Sequence, residues 1–250
     1  MSQPIYRLCE VWKSYGDKRV LERLSFDVPA GRSLVVMGRS GSGKSVMLRL
    51  MDGLEKPDRG SILFDGTDIV PFGERALRSM RLRVAMLFQG GALFDSMTVY
   101  ENLAFPLERH SDLDGEAIAE RVTRTLELVE LEGVEDRMPA ALSGGMRKRA
   151  ALARSLIMEP EVVLFDEPTT GLDPLTSATI AQLIRNVQSR LEMTSVVVTH
   201  DLPLARRVGD LVAFLEGGTL EFFGTWKEAA GCSSRSFCEF LAANEESHAA

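Results

Sequence analysis

Apolar positions change their period along the chain. Ile5–Val11 and Val20–Val28 alternate apolar with polar residues, the period of half-buried strands. Turn-forming Ser14-Tyr15-Gly16-Asp17 lies between them, which predicts an antiparallel pair. Ser33–Met37 is a short apolar strand that runs into the glycine-rich Gly38–Gly43 and then a helix, Lys44–Met51. Asp52-Gly53 and Lys56-Pro57-Asp58 stop that helix. Ser61–Phe64 and Val84–Phe88 read as further strands. From about Thr98 to Met158 the pattern turns helical. Ile118, Val122, Leu126 and Val129 fall on one helix face, and that stripe reads as core packing. Glu161–Phe165 returns as a buried strand, Leu175–Leu191 as a helix, and Ser195–Val198 and Leu211–Leu215 as strands. After Ala229 the tail is polar apart from a short apolar patch, Phe237 to Leu241, and reads as a helix at most, then frayed.

Strands that alternate with helices in both halves predict an α/β fold with a mostly parallel sheet. The first two strands are an antiparallel attachment to it, and a helical block interrupts the alternation. The expected division is a discontinuous core, residues 1–89 and 160–229, an inserted helical subdomain, 90–159, and a tail, 230–250. The 250 residues are enough for such a core with one insertion. Hydrophobic residues at 45% and charged residues at 26% exclude wholesale disorder. The longest apolar runs, such as Val162–Phe165 and Val196–Val198, are strand-sized and far from the ~18–20 residues of a membrane span. The start, Met1-Ser2-Gln3-Pro4, lacks a basic region followed by an apolar stretch, so no secretory leader is expected and the chain should stay in the cytoplasm. A net charge of −7 argues against a nucleic-acid partner. Cys9, Cys232 and Cys238 form no CxxC pair and fit a reducing compartment; His110, His200 and His248 are too scattered for a metal cluster.

Two stretches carry chemistry. Gly38-Arg39-Ser40-Gly41-Ser42-Gly43-Lys44-Ser45 has the GxxxxGK[ST] pattern between a predicted strand and a predicted helix. Its glycines let consecutive backbone N–H groups curl round a phosphate, and the helix start adds a positive dipole end. Lys44 is placed to reach the β- and γ-phosphates, and the Ser45 hydroxyl to hold Mg²⁺. The second stretch, Val162-Val163-Leu164-Phe165-Asp166-Glu167, is an apolar strand ending in two acids. In a parallel sheet these land beside the phosphate loop. Asp166 is then a Mg²⁺ ligand, directly or through water, and Glu167 a general base for the attacking water. Alone, two acids at a strand end are ordinary solvated charge; the phosphate loop gives them a purpose.

Leu142-Ser143-Gly144-Gly145-Met146-Arg147-Lys148-Arg149, followed by Asp166-Glu167-Pro168-Thr169-Thr170-Gly171-Leu172-Asp173, resembles the ATP-binding cassette (ABC) ATPase family across nearly the whole chain. The resemblance implies a P-loop NTPase core that binds ATP and Mg²⁺ and forms a head-to-tail dimer with a second copy of itself. In such a dimer Ser143, Gly144 and Gly145 would cap the γ-phosphate held by the partner chain, and Asp173 would lie in the loop that crosses the interface. Tyr15 matches the aromatic that stacks on adenine, Gln89 the glutamine that senses Mg²⁺ and water, and His200 the switch histidine at the γ-phosphate. Met146 departs from a common glutamine and Arg39 from a common proline; neither removes a reacting group.

The stretch Leu87–Val99, then Glu101–Leu107, together with Ser143–Arg154, is similar to the ATPase subunits of Mla-type phospholipid transporters. That likeness implies a membrane permease and an MCE-domain lipid-binding protein as partners, and a peripheral position on the cytoplasmic face of the inner membrane. Gly90–Leu107, with Phe94, Val99, Tyr100 and Phe105, is the expected face toward the permease. A polar-solute importer ATPase and a nucleotide-gated regulatory clamp are the alternative readings.

Overall fold

The computed structural model describes residues 3–249. Met1 and Ser2, half of the start read for a leader, lie outside the described residues, as does the side chain of His248. The first half of the chain folds as β1 (Pro4–Tyr15), β2 (Lys18–Pro29), β3 (Ser33–Met37), α1 (Lys44–Met51), β4 (Arg59–Phe64), β5 (Thr67–Asp68), α2 (Glu74–Arg81) and β6 (Val84–Leu87). A helical stretch follows: α3 (Val99–His110), α4 (Gly115–Leu128) and α5 (Gly144–Leu156). The remainder is β7 (Val162–Asp166), α6 (Pro174–Leu191), β8 (Thr194–Val198), α7 (Leu202–Val208), β9 (Leu211–Glu216), β10 (Thr219–Thr225), α8 (Trp226–Ala229) and α9 (Arg235–Ala249).

Two sheets result. One is antiparallel, in the order β2-β1-β4-β5, with Tyr15 opposite Lys18 across the predicted turn. The other runs β10-β9-β3-β8-β7-β6, parallel throughout except for the β9–β10 hairpin. Its inner strands are buried on both faces, which is why they are continuously apolar. Side chains still alternate. Val35 and Met37 face a core shared with the helical stretch, while Leu34 and Val36 face a second core against α1 and the antiparallel sheet. Ile118, Val122, Leu126 and Val129 all lie in the first core, as the stripe predicts. Among the described residues no helix is long and apolar enough to cross a membrane.

The sequence pattern misses five elements and underestimates a sixth. β5, α2, α7, β10 and α8 are too short, have too few apolar residues, or are too mixed in pattern to stand out. The tail is the larger correction. Phe237 and Phe240 are buried. Phe237 stacks on Phe214 at 4.9 Å and on Phe222 at 5.0 Å between ring centroids, and Phe240 meets Phe214 at 5.1 Å. Two aromatics three residues apart share one helix face, so a segment that is polar on average still docks.

Asp52, just past the end of α1, is a buried acid at 5% exposure. Arg81 donates to the backbone carbonyls of Asp52 and Gly53 at 3.0 Å, and its Nε lies 3.7 Å from the Asp52 carboxylate. Burial pushes this carboxyl up to about 7, against the pull of Arg81. The folded chain therefore holds a proton that the unfolded chain releases near pH 4. The stability this contributes is full below about pH 4 and is lost as pH rises through about 7. Asp52→Asn should accordingly stabilise the chain at pH 8 by on the order of 2–4 kcal/mol and leave it unchanged near pH 4. Urea melts at both pH values check this; an equal effect at both would show that the carboxyl does not titrate in this range.

Candidate functional site

Four neighbouring parallel strands, β3, β8, β7 and β6, end on one edge of the large sheet. Beyond β3 comes Gly38–Ser45, beyond β8 Thr199-His200, beyond β7 Glu167, and beyond β6 Gln89. The sheet order thus collects segments that are far apart in the sequence, at the position where α/β sheets bind ligands.

The glycine-rich loop curls as its sequence requires. Gly38, Gly41 and Gly43 have φ of 153°, 80° and 98°. A Cβ on Gly38 would fall 2.2 Å from the carbonyl oxygen of Leu215, so only glycine fits between the loop and β9. No side chain caps the start of α1, and its first turn holds no acid, so its N–H groups face the loop. Lys44 turns back and donates to the carbonyls of Gly38 at 2.8 Å and Arg39 at 3.0 Å. Burial lowers the Lys44 ammonium from its ordinary value, with the charges of Glu167 and Asp166 opposing. A charged group held by two carbonyls beside two acids is a cation arranged to receive an anion. Ser42 is buried beneath the loop, and its Oγ has no partner.

The acids sit opposite. Ser45 Oγ donates to Asp166 Oδ1 at 2.8 Å. Burial raises the Asp166 carboxyl, the Ser45 hydrogen bond opposes this, and the neighbouring Glu167 charge adds to it. Glu167 adopts φ 49°, a left-handed conformation unusual for a residue with a side chain. Its N–H donates to Val198 O at 2.9 Å, which ties it to β8. Its carboxylate accepts from Thr170 Oγ1 at 3.3 Å and Thr199 Oγ1 at 3.4 Å, and Oε1 lies 2.9 Å from His200 Nδ1.

A cavity of about 830 Å³ opens along this edge, within the roughly 300–1,000 Å³ of small-molecule sites. Tyr15, Gly38, Arg39, Ser40, Gly41, Gly43, Lys44 and Ser45 line one side, and Gln89, Glu167 and His200 the other. Ser42 and Asp166 lie behind this lining. Ser143, Gly144, Gly145 and Asp173 are not part of it. Ser143 caps α5, accepting from Met146 N–H at 3.3 Å, and is exposed. Asp173 caps α6, accepting from the N–H groups of Leu175 and Thr176 at 3.1 and 3.0 Å. Hydrogen bonds from Thr176 and the helix start hold its carboxyl below the usual range.

Residues 21–170 match the protein family described as ABC transporter. This chain belongs to the ABC transporter family. A probable ribonucleotide transport ATP-binding protein, mkl, from Mycobacterium leprae is 45% identical over 212 residues, which are 85% of this chain and 61% of that protein. The chain thus spans about three fifths of the length of that relative. The intermembrane phospholipid transport system ATP-binding protein MlaF of Escherichia coli is 43% identical over 195 residues, 78% of this chain and 72% of the relative. Among solved structures, the cassette MJ0796, a dimer in a post-hydrolysis state with ADP and Pi, superposes with a TM-score of 0.81 at 32% identity, covering 88% of this chain and 98% of that one.

As an ABC cassette the chain shows further contacts that the motifs do not reveal. Lys18, Val20, Arg49, Thr170, Phe240 and Asn244 also line the cavity. Thr170 lies inside the Asp166–Asp173 stretch, three residues after Glu167; Phe240 and Asn244 arrive only because α9 docks. Lys148, one turn into α5, donates to the carbonyl of Gln89 at 2.6 Å. Arg154 donates to Ala92 O at 2.9 Å and lies 4.7 Å over the ring of Phe94. α5 therefore holds the segment that follows β6. In that segment Val99 is buried and Tyr100 packs against the core, while Phe94, at 42% exposure, meets half-buried Phe105 edge-on at 5.6 Å between ring centroids. Among the described residues no cluster of three or more His, Cys, Asp or Glu could hold a metal. The sparse oxygen set of Ser45, Asp166 and Gln89 fits Mg²⁺, which keeps waters and shares its shell with substrate phosphates.

Proposed function

We propose that this chain is the ATP-hydrolysing subunit of a transport system that moves phospholipid through a membrane permease. The observation that carries the reading is the row of four strand ends, where the Lys44 loop, Ser45 with Asp166 bonded behind it, the Glu167–His200 pair and Gln89 meet at one cavity. ATP fits this row by chemistry. The loop N–H groups and Lys44 would take its phosphates, and one face of Tyr15 its base. Ser45, Asp166 and Gln89 would hold Mg²⁺, which when bound neutralises charge on the transferring phosphoryl group. Glu167 takes a proton from the attacking water, and His200, already beside it, keeps its carboxylate aimed. His200→Ala should slow turnover while largely keeping ATP affinity.

Because Ser143–Gly145 and Asp173 lie outside the chain's own cavity, we assign them to the site of a second copy, head to tail. A membrane permease and an MCE-domain lipid-binding protein complete the proposed system, with this chain peripheral on the cytoplasmic face of the inner membrane. The phospholipid assignment leans on the Escherichia coli relative. A polar-solute reading is favoured by the mycobacterial relative, whose name carries ribonucleotide transport. Transfer of labelled phospholipid between vesicles by the ATP-driven complex separates the two; ATP turnover stimulated by a polar solute, with no lipid transfer, would sink the first.

The same reading predicts opposite outcomes for two neighbouring aromatics. Phe94→Asp should leave ATP affinity unchanged and weaken co-purification with the permease, since an uncompensated charge at a buried contact costs about 3–5 kcal/mol. Tyr100→Asp should instead destabilise the chain itself. Normal assembly of the Phe94 variant would place the docking face elsewhere.

A further inference from the structure

Tyr15 is an exposed aromatic at the end of β1, yet its ring is held on two sides. Its hydroxyl donates to the Glu55 carboxylate. The other Glu55 oxygen accepts from Arg49 Nε at 2.5 Å. Arg49 belongs to α1, the helix that the phosphate loop begins, and the N–H of Glu55 donates back to the Arg49 carbonyl at 3.2 Å. Lys13 covers the ring, its Nζ 5.3 Å from the centroid and itself bonded to Lys56 O at 2.8 Å. Two further bonds join the strand end to the loop after α1. Ser14 N–H donates to Asp58 Oδ2 at 2.7 Å, and Asp58 N–H to Trp12 O at 2.8 Å. Tyr15 and Arg49 both line the cavity.

The donors and acceptors in this relay are fixed. Burial would raise the Glu55 carboxyl, but hydrogen bonds from Tyr15 and Arg49 outweigh it and hold it below its ordinary value. Burial and the bond to Glu55 raise the Tyr15 phenol, which stays a donor. An untethered tyrosine at a strand end would lose rotamer freedom when a base stacked on it, and a ring already locked loses less.

We propose that Glu55 is a positioning residue for the nucleotide base: it fastens the Tyr15 ring to α1 and so fixes the span between the stacking ring and the phosphate loop. The inference rests on the ATP-site reading above, with Tyr15 as the base platform. Its physical content is a rigid ruler. One end of α1 presents backbone N–H groups to phosphates, and its other end sets the ring through Arg49 and Glu55.

The test compares a ligand with a base and one without. Affinities of the purified chain for ATP and for inorganic tripolyphosphate, both with Mg²⁺, are measured by calorimetry for the wild type, Tyr15→Phe, Glu55→Ala, Glu55→Gln and Tyr15→Ala. Tyr15→Phe and Glu55→Ala should each weaken ATP about three- to tenfold, the range of one hydrogen bond, and leave tripolyphosphate unchanged. Glu55→Gln should recover part of the loss, because its amide carbonyl still accepts from Tyr15 while its NH2 group cannot accept from Arg49 Nε. If Tyr15→Ala weakens ATP but Tyr15→Phe and Glu55→Ala do not, the ring stacks without its tether and the inference falls while the ATP site stands. If Tyr15→Ala leaves ATP and tripolyphosphate in the wild-type ratio, the platform assignment fails, and the inference with it. If Glu55→Ala weakens both ligands alike or does not fold, Tyr15→Phe, which removes one oxygen, decides alone.

Discussion

Glu167→Gln should bind MgATP and keep it, with turnover lower by about 10²–10⁴, the range for losing a general base. The substitution is nearly isosteric, so the structure around it should persist. The backbone of Glu167 is fixed by its bond to Val198 O, not by its side chain. An amide carbonyl can still accept from Thr170 and Thr199, which now bond the carboxylate. What the amide cannot do is take a proton from water. The variant should therefore accumulate as a nucleotide-loaded dimer, seen as a doubled mass on size exclusion with ATP retained after desalting. Wild-type rates of phosphate release would remove Glu167 from the role of base. Loss of ATP binding would mean that its charge matters to the loaded state more than to the chemistry.

The parts of this site that were readable from sequence are those whose chemistry constrains the backbone. Gly38 must be glycine because Leu215 O leaves no room for a Cβ, and such needs leave a fixed spacing behind them. Val162–Phe165 was legible because a strand buried on both faces is apolar throughout, and the acids at its end were legible by contrast. The rest depends on contacts between distant segments. Glu55 tethers Tyr15 from 40 residues away, with nothing in either neighbourhood to announce it. α2 carries only two buried residues, Leu77 and Met80, among charged ones. In β10, Phe222 packs on Phe237 while Phe223 stacks on Phe26 of the other sheet, so neighbouring residues serve different layers and no simple period survives. Lys148 and Arg154 are spent on carbonyls of the segment after β6, contacts that no local pattern marks.

The signature residues pose a sharper question, because the chain's own cavity does not include them. Lys44→Ala removes the ammonium from between the Gly38 and Arg39 carbonyls and should cut turnover by on the order of 10²–10³, as loss of one preorganised donor does. Ser143→Arg removes the cap of α5 and fills its exposed start with a long side chain, which should block a phosphate there and cut turnover comparably. Alone, each variant forms dimers with two damaged sites. Mixed in equal amounts, about half the dimers are heterodimers, by random pairing of a two-fold assembly. If Ser143 serves the partner's phosphate loop, one site of each heterodimer carries both lesions and the other carries neither. Turnover should then return to roughly a quarter of the wild-type value, provided that each site works alone. If Ser143 served its own loop, every site in every dimer would carry one lesion, and mixing would restore nothing. Phosphate release across a titration of one variant into the other, with heterodimers counted by native mass spectrometry, tells the two apart. A flat line at the level of the single variants would end the assignment of Ser143, Gly144 and Gly145 to the neighbouring site.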